Sequence, residues 1–515
     1  MMNVLISVFD KTNIVELAKE LKKLKYQIIS TGGTAKKLLE NNIDVIPIEK
    51  ITGNPELFDG RMKTISFEIE SGILFDRKNK NHVKEAKKFS IKPIDIVICN
   101  FYPFEETLAK KDYSFEEVIE NIDVGGPTMV RAAAKNFKNV LVITDPSDYQ
   151  LIIDRLKTNS VNDDLRKKLA AKAFSHLSYY DSQIANFLES DLFPDKKTIA
   201  AKKIFNLRYG ENPHQQASVY LEPQTKSFLK NLKKISGREM SLINLTDINA
   251  GIEAVKLFKE SAAVIIKHNT PCGIALGKNS QEALIRAIQA DPQSAFGGAI
   301  ILNQNIDEKT VEVIRDFKNL RKSIIDIIAA PSIDEKAAQL LSLIRKSTGV
   351  YTFGKINYQN RKINIKWVDG GFILQSSDDE IEKSFQNWKV VSKISPTKKQ
   401  LEQMQVAWKF ISRIKSNTVI VVDKIIPMTR GIGSGQTSRY KAAEIALSQA
   451  GNLAKGAILA SDGFFPFDDS VKLAAKYNIG AIIQQGGSVK DTDVIKTVDR
   501  LKIPMVFTYR RAFWH

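Results

Sequence analysis

Two cysteines, Cys99 and Cys272, in 515 residues exclude a disulfide framework and suit a reducing compartment. No apolar run is long enough to span a bilayer. The opening Met1-Met2-Asn3-Val4-Leu5-Ile6-Ser7-Val8-Phe9-Asp10 has no basic leader and too short an apolar stretch for a signal peptide. A cytoplasmic location without a membrane partner is the expectation. Acidic residues are in deficit, 58 against 76 Lys and Arg, which leaves a net charge of +18. A single-strand groove would interleave such charge with aromatics. Here the cations form short runs on helical faces, Lys22-Lys23 and Arg166-Lys167-Lys168. No nucleic-acid partner is therefore expected, and the field suits small polyanionic substrates. What is present is ordinary for a folded protein, 43% hydrophobic and 26% charged. The length implies about two to four domains.

The stretch Ala262-Ala263-Val264-Ile265-Ile266-Lys267-His268-Asn269-Thr270-Pro271-Cys272-Gly273 organises the rest. Its apolar residues predict a short buried strand, with Lys267 and His268 at the mouth and a Pro-Cys-Gly turn reversing the chain. Strand mouths in open α/β sheets are where ligands bind. A histidine beside a fixed cation has its neutral form favoured and can accept a proton. The H-x-E and P-C-x-x-C ligands of zinc deaminases are missing: Thr270 follows His268 and Ala275 follows Cys272 at those spacings. No metal site is expected. Cys272 reads as a small buried hydrophobe, with a nucleophile as the alternative.

Up to about residue 195, short apolar strands alternate with amphipathic helices, predicting a mostly parallel sheet covered by helices. The strands expected are Val4 to Val8, Gln27 to Ser30, Val45 to Ile48, Ile94 to Asn100 and Asn139 to Thr144. Their carboxyl ends carry Ser7 and Lys11, then Ser30-Thr31-Gly32-Gly33-Thr34, a turn suited to phosphate. Arg61-Met62-Lys63-Thr64 adds two cations, Asn100-Phe101-Tyr102 a phenol, and Asp123-Val124-Gly125-Gly126-Pro127 opens a helix. On that helix Arg131 and Lys135 share a face.

Beyond residue 200, Arg208-Tyr209-Gly210-Glu211-Asn212-Pro213-His214-Gln215 reads as a binding loop. A helix near Asp247 to Glu260 is expected, led by Leu242-Ile243-Asn244-Leu245. A faint internal repeat follows. Ala263 to Ile266 leads through a Gly turn to a helix at 280–290 and then to Ala299 to Leu302. Thr418 to Val422 leads through Gly431-Ile432-Gly433-Ser434-Gly435-Gln436 to a helix at 437–449 and then to Ala457 to Ala460. Two similar α/β halves with a seam near 370–395 are inferred.

These residues resemble the bifunctional purine-biosynthesis family that combines aminoimidazolecarboxamide ribonucleotide (AICAR) formyltransferase with inosine monophosphate (IMP) cyclohydrolase. The resemblance covers nearly the whole chain. It rests on Arg208 to Gln215, on Lys267-His268 with Pro271 and Gly273, and on Asp291-Pro292 with Ser294-Ala295-Phe296-Gly297-Gly298. Gly431 to Gln436 with Ser438-Arg439, and Ala460-Ser461-Asp462 with Phe464-Phe465-Pro466-Phe467, complete it.

The resemblance implies an α/β chain: a methylglyoxal-synthase-like doubly wound domain at 1–196, then two cytidine-deaminase-like halves without zinc at 197–385 and 386–515. It implies a homodimer with transferase sites between subunits and 10-formyltetrahydrofolate as cosubstrate. No metal is implied for catalysis, and a monovalent cation is compatible with the pattern. For formyl transfer it implies His268 as general base, with Lys267 and Asn417 beside it. Arg208, Tyr209, Asn244, Gly297, Arg439, Arg511 and His515 would hold the nucleotide, and Asp326, Phe464, Asp469 and Ser488 would contact folate or frame the site. For ring closure of formyl-AICAR it implies Lys63, Tyr102, Asp123 and Lys135. Ser7, Lys11, Ser30, Thr31, Gly32, Gly33, Thr34, Arg61, Thr64, Asn100, Gly125 and Gly126 would cradle the nucleotide.

The chain departs from the family's pattern at three places. Ile65-Ser66-Phe67 and Glu70-Ser71-Gly72 replace Leu-His-Pro and His-Gly-Gly, which predicts a shifted Lys63 loop. Gln485 replaces a Pro, and Tyr509 and Ala512 replace a Gly and a His. Two other readings follow: an active transferase with an impaired cyclohydrolase, or a nucleotide- or RNA-binding protein on a retired enzyme scaffold. The joint presence of Lys267, His268, Lys63, Tyr102, Asp123 and Lys135 argues against the last.

Overall fold

The early apolar runs become β1 (Met2–Val8), β2 (Tyr26–Ser30), β3 (Ile46–Pro47), β4 (Ile96–Asn100) and β5 (Leu141–Ile143) in the computed structural model. The structure describes residues 2–58, 61–102, 104–321, 324–356, 363–378 and 380–515. These strands run parallel in the order β3-β2-β1-β4-β5. Helices cover both faces, so the successive side chains from Asn3 to Ile6 of β1 are all buried. Val4 and Ile6 pack with Ile14 and Leu17 on one face, and Leu5 with Met129 and Ala173 on the other. The strand order reverses between β1 and β4, which opens a crevice at their carboxyl ends.

The chain divides into two compact units, Met1–Lys202 with Glu222–Thr225, and Lys203–Leu221 with Lys226–His515. The ribbon β6 (Lys202–Asn206) and β7 (Ser218–Leu221) leads into the second unit. There, β8 (Lys233–Ser236), β9 (Ser261–Lys267), β10 (Thr270–Gly277), β11 (Ala299–Leu302), β12 (Ile327–Ala330) and β13 (Gly349–Thr352) form a sheet in the order β10-β9-β11-β12-β13-β8. A second ribbon, β14 (Ile363–Val368) and β15 (Gly371–Ser376), follows. Then β16 (Lys389–Val390), β17 (Val419–Val422), β18 (Thr429–Gly433), β19 (Ile458–Ser461), β20 (Ala481–Gln484) and β21 (Met505–Phe507) build β18-β17-β19-β20-β21-β16. Strand order and every pairing direction match between the two sheets. The sheets meet edge to edge, where Ala275 bridges Met428 antiparallel and the Leu276 N–H donates to the Pro427 carbonyl at 2.9 Å.

Two turns expected from the sequence are strands. Pro271-Cys272-Gly273 lies in β10, and the first glycines of the Gly431 run lie in β18. Their glycines serve packing: a Cβ on Gly273 or Gly431 would collide with the carbonyl oxygens of Ala287 or Ala446 on the covering helices. The reversal falls earlier, at His268 and Asn269, both left-handed with φ of 54° and 61°. They form the two-residue loop of a β9–β10 hairpin in which Lys267 pairs with Thr270. The helix expected near Asp247 to Glu260 runs over Leu242–Val255 instead. Ser241 caps it: its hydroxyl accepts the Asn244 N–H, and Asn244 reaches back to the Ser241 N–H.

Candidate active sites

In the first unit, a cavity of about 570 Å³ opens at the carboxyl ends of β1, β2 and β4. Two helix N-termini face it, those of Gly32–Leu39 and Gly125–Lys135, and their free N–H groups favour an anion. Two ammonium groups sit at the glycine turn. Lys63 Nζ and Lys11 Nζ lie 3.8 and 3.9 Å from where Cβ atoms on Gly32 and Gly33 would stand. Thr64 presses on Gly125 so closely that a Cβ there would meet its hydroxyl. The mouth is braced by hydrogen bonds. Ser7 and Thr31 hydroxyls lie 3.3 Å apart, Thr34 donates to the Val8 carbonyl at 2.9 Å, and Asn100 Oδ1 accepts the Phe9 N–H at 2.7 Å.

Asp123 and Tyr102 also line this cavity. Burial pushes the Asp123 carboxyl up, against the pull of the Gly126 and Tyr102 N–H groups and of Lys63. The Asp123 N–H donates to Tyr180 Oη at 2.8 Å, which fixes the loop from behind. Both cations of the Arg61 loop have carboxylate partners: Lys63 pairs with Glu56 at 3.0 Å and Arg61 with Glu120. Of the residues expected here, Ser30 and Lys135 do not line the cavity. The Ser30 hydroxyl is buried and donates to the Ile6 carbonyl at 2.8 Å, tying β2 to β1. Lys135 is exposed in the last turn of the Gly125–Lys135 helix, about 15 Å along its axis from Gly125. Glu120 and Phe9 line the cavity in addition, and Glu56 reaches it only through Lys63; Asp123 is the one carboxylate the sequence pattern points to.

In the second unit, the joined sheets bring the end of β9 and the start of β17 to one edge, because β9, β10, β18 and β17 alternate in direction. This edge carries Lys267 and His268 from one half and Asn417 from the other. Lys267 Nζ donates to the Phe296 carbonyl at 2.9 Å, beside Gly297, whose φ of 73° suits a glycine. His268 is exposed. The Asn269 N–H donates to Asp247 Oδ1 at 2.7 Å. Burial pushes the Asp247 carboxyl up; His268 and Lys415 oppose this and Asp326 adds to it, so the four side chains share one field. Asp326 pairs with Arg238, and Tyr351 Oη donates to the Arg238 carbonyl at 2.8 Å. The Arg208 guanidinium stacks 4.7 Å from the Tyr209 ring. Asn244 is buried, with its carboxamide oxygen taken by the helix cap.

Asn417 is held on both sides. Its Nδ2 donates to the Gln436 carbonyl at 2.9 Å, and Arg439 donates to its Oδ1 at 2.8 Å. Arg439 is itself buried against Asp462, which also accepts from Ser416 at 2.6 Å and the Thr418 N–H at 3.0 Å. The C-terminal tail closes this cluster. The Ala512 N–H donates to the Asp462 carbonyl, and Phe513 lies between Arg439 and Arg511 at 5.8 and 4.4 Å. His515 is exposed 5.9 Å from Phe513, and Phe464 stands two residues after Asp462. Asp469 opens the helix Asp469–Lys476, and Ser488 accepts the Lys490 N–H at 3.1 Å in the loop after β20. Among the described residues, neither hydrogen-bonds to Asn417.

Burial pushes the Cys272 thiol up to about 12, so it is no nucleophile near neutral pH. Among the described residues no cluster of His, Cys, Asp or Glu could hold a metal ion. A further cavity of about 650 Å³, lined by Lys318, Ile324, Leu343 and Arg345, has no Asp, Glu or His among the described residues that line it.

An anion cradle with a buried carboxylate in one unit, and a Lys-His turn on paired sheets in the other, define an α/β enzyme with two separate acid–base sites. The AICARFT/IMPCHase bienzyme family model matches residues 133–449, and the MGS-like domain model matches residues 13–128. The chain belongs to the AICARFT/IMPCHase bienzyme family and is an AICAR formyltransferase and IMP cyclohydrolase. It is similar to the bifunctional purine biosynthesis protein PurH of Oceanobacillus iheyensis, 42% identical over 99% of both chains. The PurH proteins of Thermoanaerobacter sp. and Clostridium botulinum are 43% and 44% identical, again over 99% of both chains. A solved structure titled "Crystal structure of ForH" is 32% identical, covering 36% of this chain and 95% of its own, with a TM-score of 0.32.

Proposed function

We propose that the Lys267-His268 edge transfers the formyl group of 10-formyltetrahydrofolate to AICAR, and that the β1–β4 cradle closes formyl-AICAR to IMP. The AICAR amine is a poor nucleophile that must lose its proton as it attacks. His268, exposed on a braced turn, takes that proton, while Lys267 and Asn417 stabilise the oxyanion on the formyl carbon. Arg439 serves by fixing Asn417. Arg208, Tyr209, Asn244 and Gly297 bound the nucleotide side, with Arg511 and His515 from the tail; Asp326, Phe464, Asp469 and Ser488 frame the folate side. A second copy of the chain completes this edge as a homodimer, in the cytoplasm. The functional division runs 1–196, 197–385 and 386–515.

In the cradle, the nucleotide phosphate lies against the Gly32-Gly33 and Gly125-Gly126 N–H groups and the Lys11 and Lys63 ammonium groups. The carboxamide nitrogen attacks the formyl carbon within one bound molecule, so positioning supplies much of the rate. Asp123, Tyr102 and Lys63 manage the protons. The single observation that carries the assignment is the separation of chemistry: the anion cradle and the half-buried carboxylate lie in one unit, the exposed histidine in the other.

The test supplies AICAR and 10-formyltetrahydrofolate and follows tetrahydrofolate and IMP together. His268→Ala should lose tetrahydrofolate release by 100-fold or more, on the order of what a general base contributes, yet still close added formyl-AICAR at the parent rate. A His268→Ala protein that forms tetrahydrofolate normally would end this reading.

A further inference from the structure

We propose that Asp247 is a positioning residue for His268: it pins the turn that presents the imidazole and supplies the negative charge that stabilises the imidazolium formed during formyl transfer. The inference rests on reading His268 as the base. Its geometry is independent of that reading.

His268 and Asn269 occupy a two-residue hairpin loop with both φ positive, a conformation that favours glycine and asparagine and is uncommon for other residues. The turn needs an external hold. Asp247 provides one from the helix Leu242–Val255, its Oδ1 accepting the Asn269 N–H at 2.7 Å. At 7% exposure, a carboxylate pays for its place in lost solvation.

The duplicated architecture shows what that carboxylate adds. In the second half, the capped helix Lys398–Ile411 stands where Leu242–Val255 stands in the first, and each begins with a capping box. Gln403 there donates from Nε2 to the Ile425 carbonyl at 2.5 Å, in the loop after β17. Each side chain reaches a backbone group 22 residues on. A helix side chain therefore holds the hairpin in both halves, as a neutral donor to a carbonyl in one and as a carboxylate accepting an N–H in the other. The β17–β18 hairpin has its own carboxylate, Asp423, which accepts the Ile425 and Ile426 N–H groups at 2.8 and 3.0 Å, but Arg430 pairs with it at 2.8 Å; an anion on the helix stands in the half that carries the histidine.

The charged groups acting on Asp247 are His268, Lys415 and Asp326. Arg238 pairs with Asp326, which leaves His268 and Lys415 as the cationic partners in the field of Asp247, with Lys267 adjacent to His268 in the chain. As the amine–formyl carbon bond forms, the amine proton passes to His268. It is delivered to the folate nitrogen as the folate C–N bond breaks, and Asp247 neither gains nor loses a proton. Its charge favours the intermediate state in which the imidazole is cationic.

The experiment uses the full chain. Asp247→Asn keeps an oxygen for the Asn269 N–H and removes the charge; Gln403→Leu removes the equivalent neutral pin. For Asp247→Asn, formyl-transfer kcat should fall about tenfold or more at a KM within about twofold, and the acid limb of its pH profile should move to lower pH. Ring closure of added formyl-AICAR should be unchanged. Gln403→Leu should lower Tm and leave the pH profile in place. Parent kcat and pH profile in Asp247→Asn, while His268→Ala is inactive, would overturn the proposal. So would a loss that merely tracks Tm and moves no pH limb. Parent-like transfer by His268→Ala would instead remove the base reading and this inference with it.

Discussion

Glu70 stands in the helix Phe67–Leu74, where the family pattern has a histidine, with Oε1 buried and without a hydrogen-bond partner among the described residues. Burial pushes its carboxyl up to about 7. The folded state then keeps a proton that the unfolded chain releases. Stability is fullest below the ordinary carboxylate value, falls as pH rises toward about 7, and is flat in this respect above it. Glu70→Gln should therefore raise Tm at pH near 8, by a stability gain on the order of 2 kcal/mol, and change it little near pH 4. Equal shifts at both pH values would contradict the assignment. Single residues also mark where the sequence was least legible. Ser30 and Lys135 carry suitable chemistry, but the direction of a hydroxyl and the length of a helix decide whether they reach the cavity. Asp247 was legible only as a helix residue, since its partner Asn269 lies on another element.

At the scale of elements, the parallel strands of the first unit were readable because continuous β-branched runs ending in Gly or polar residues have few alternatives. β10 and β18 were not. Their glycines imitate turns, whereas in the folded chain they let the helices Ser280–Ala290 and Arg439–Ala450 settle on the strands. That contact predicts a penalty. Gly433→Ala drives a Cβ into the Ala442 carbonyl oxygen and should cost on the order of 2–3 kcal/mol, read as a lowered denaturation midpoint. A neutral result would mean that the helix can retreat freely. The element order of the repeat was visible from the sequence, but the hairpin between its first strand and first helix was not.

At the scale of the whole molecule, 76 cations against 58 acids create a field that draws in phosphorylated substrates. kcat/KM for both reactions should fall as ionic strength rises, with kcat little changed, because screening acts on encounter. Salt-independent kcat/KM would show that encounter is not limiting. The duplicated second unit has a further consequence, which follows from the seam between Ala275 and Met428. Among the described residues, the outer edges of β10 and β18 meet each other, through the Ala275–Met428 bridge and the Leu276 N–H to the Pro427 carbonyl. A fragment cut near residue 386 would therefore expose an open, glycine-bearing edge in each piece, an invitation to aggregate. Separated, each half would need a new partner for that edge.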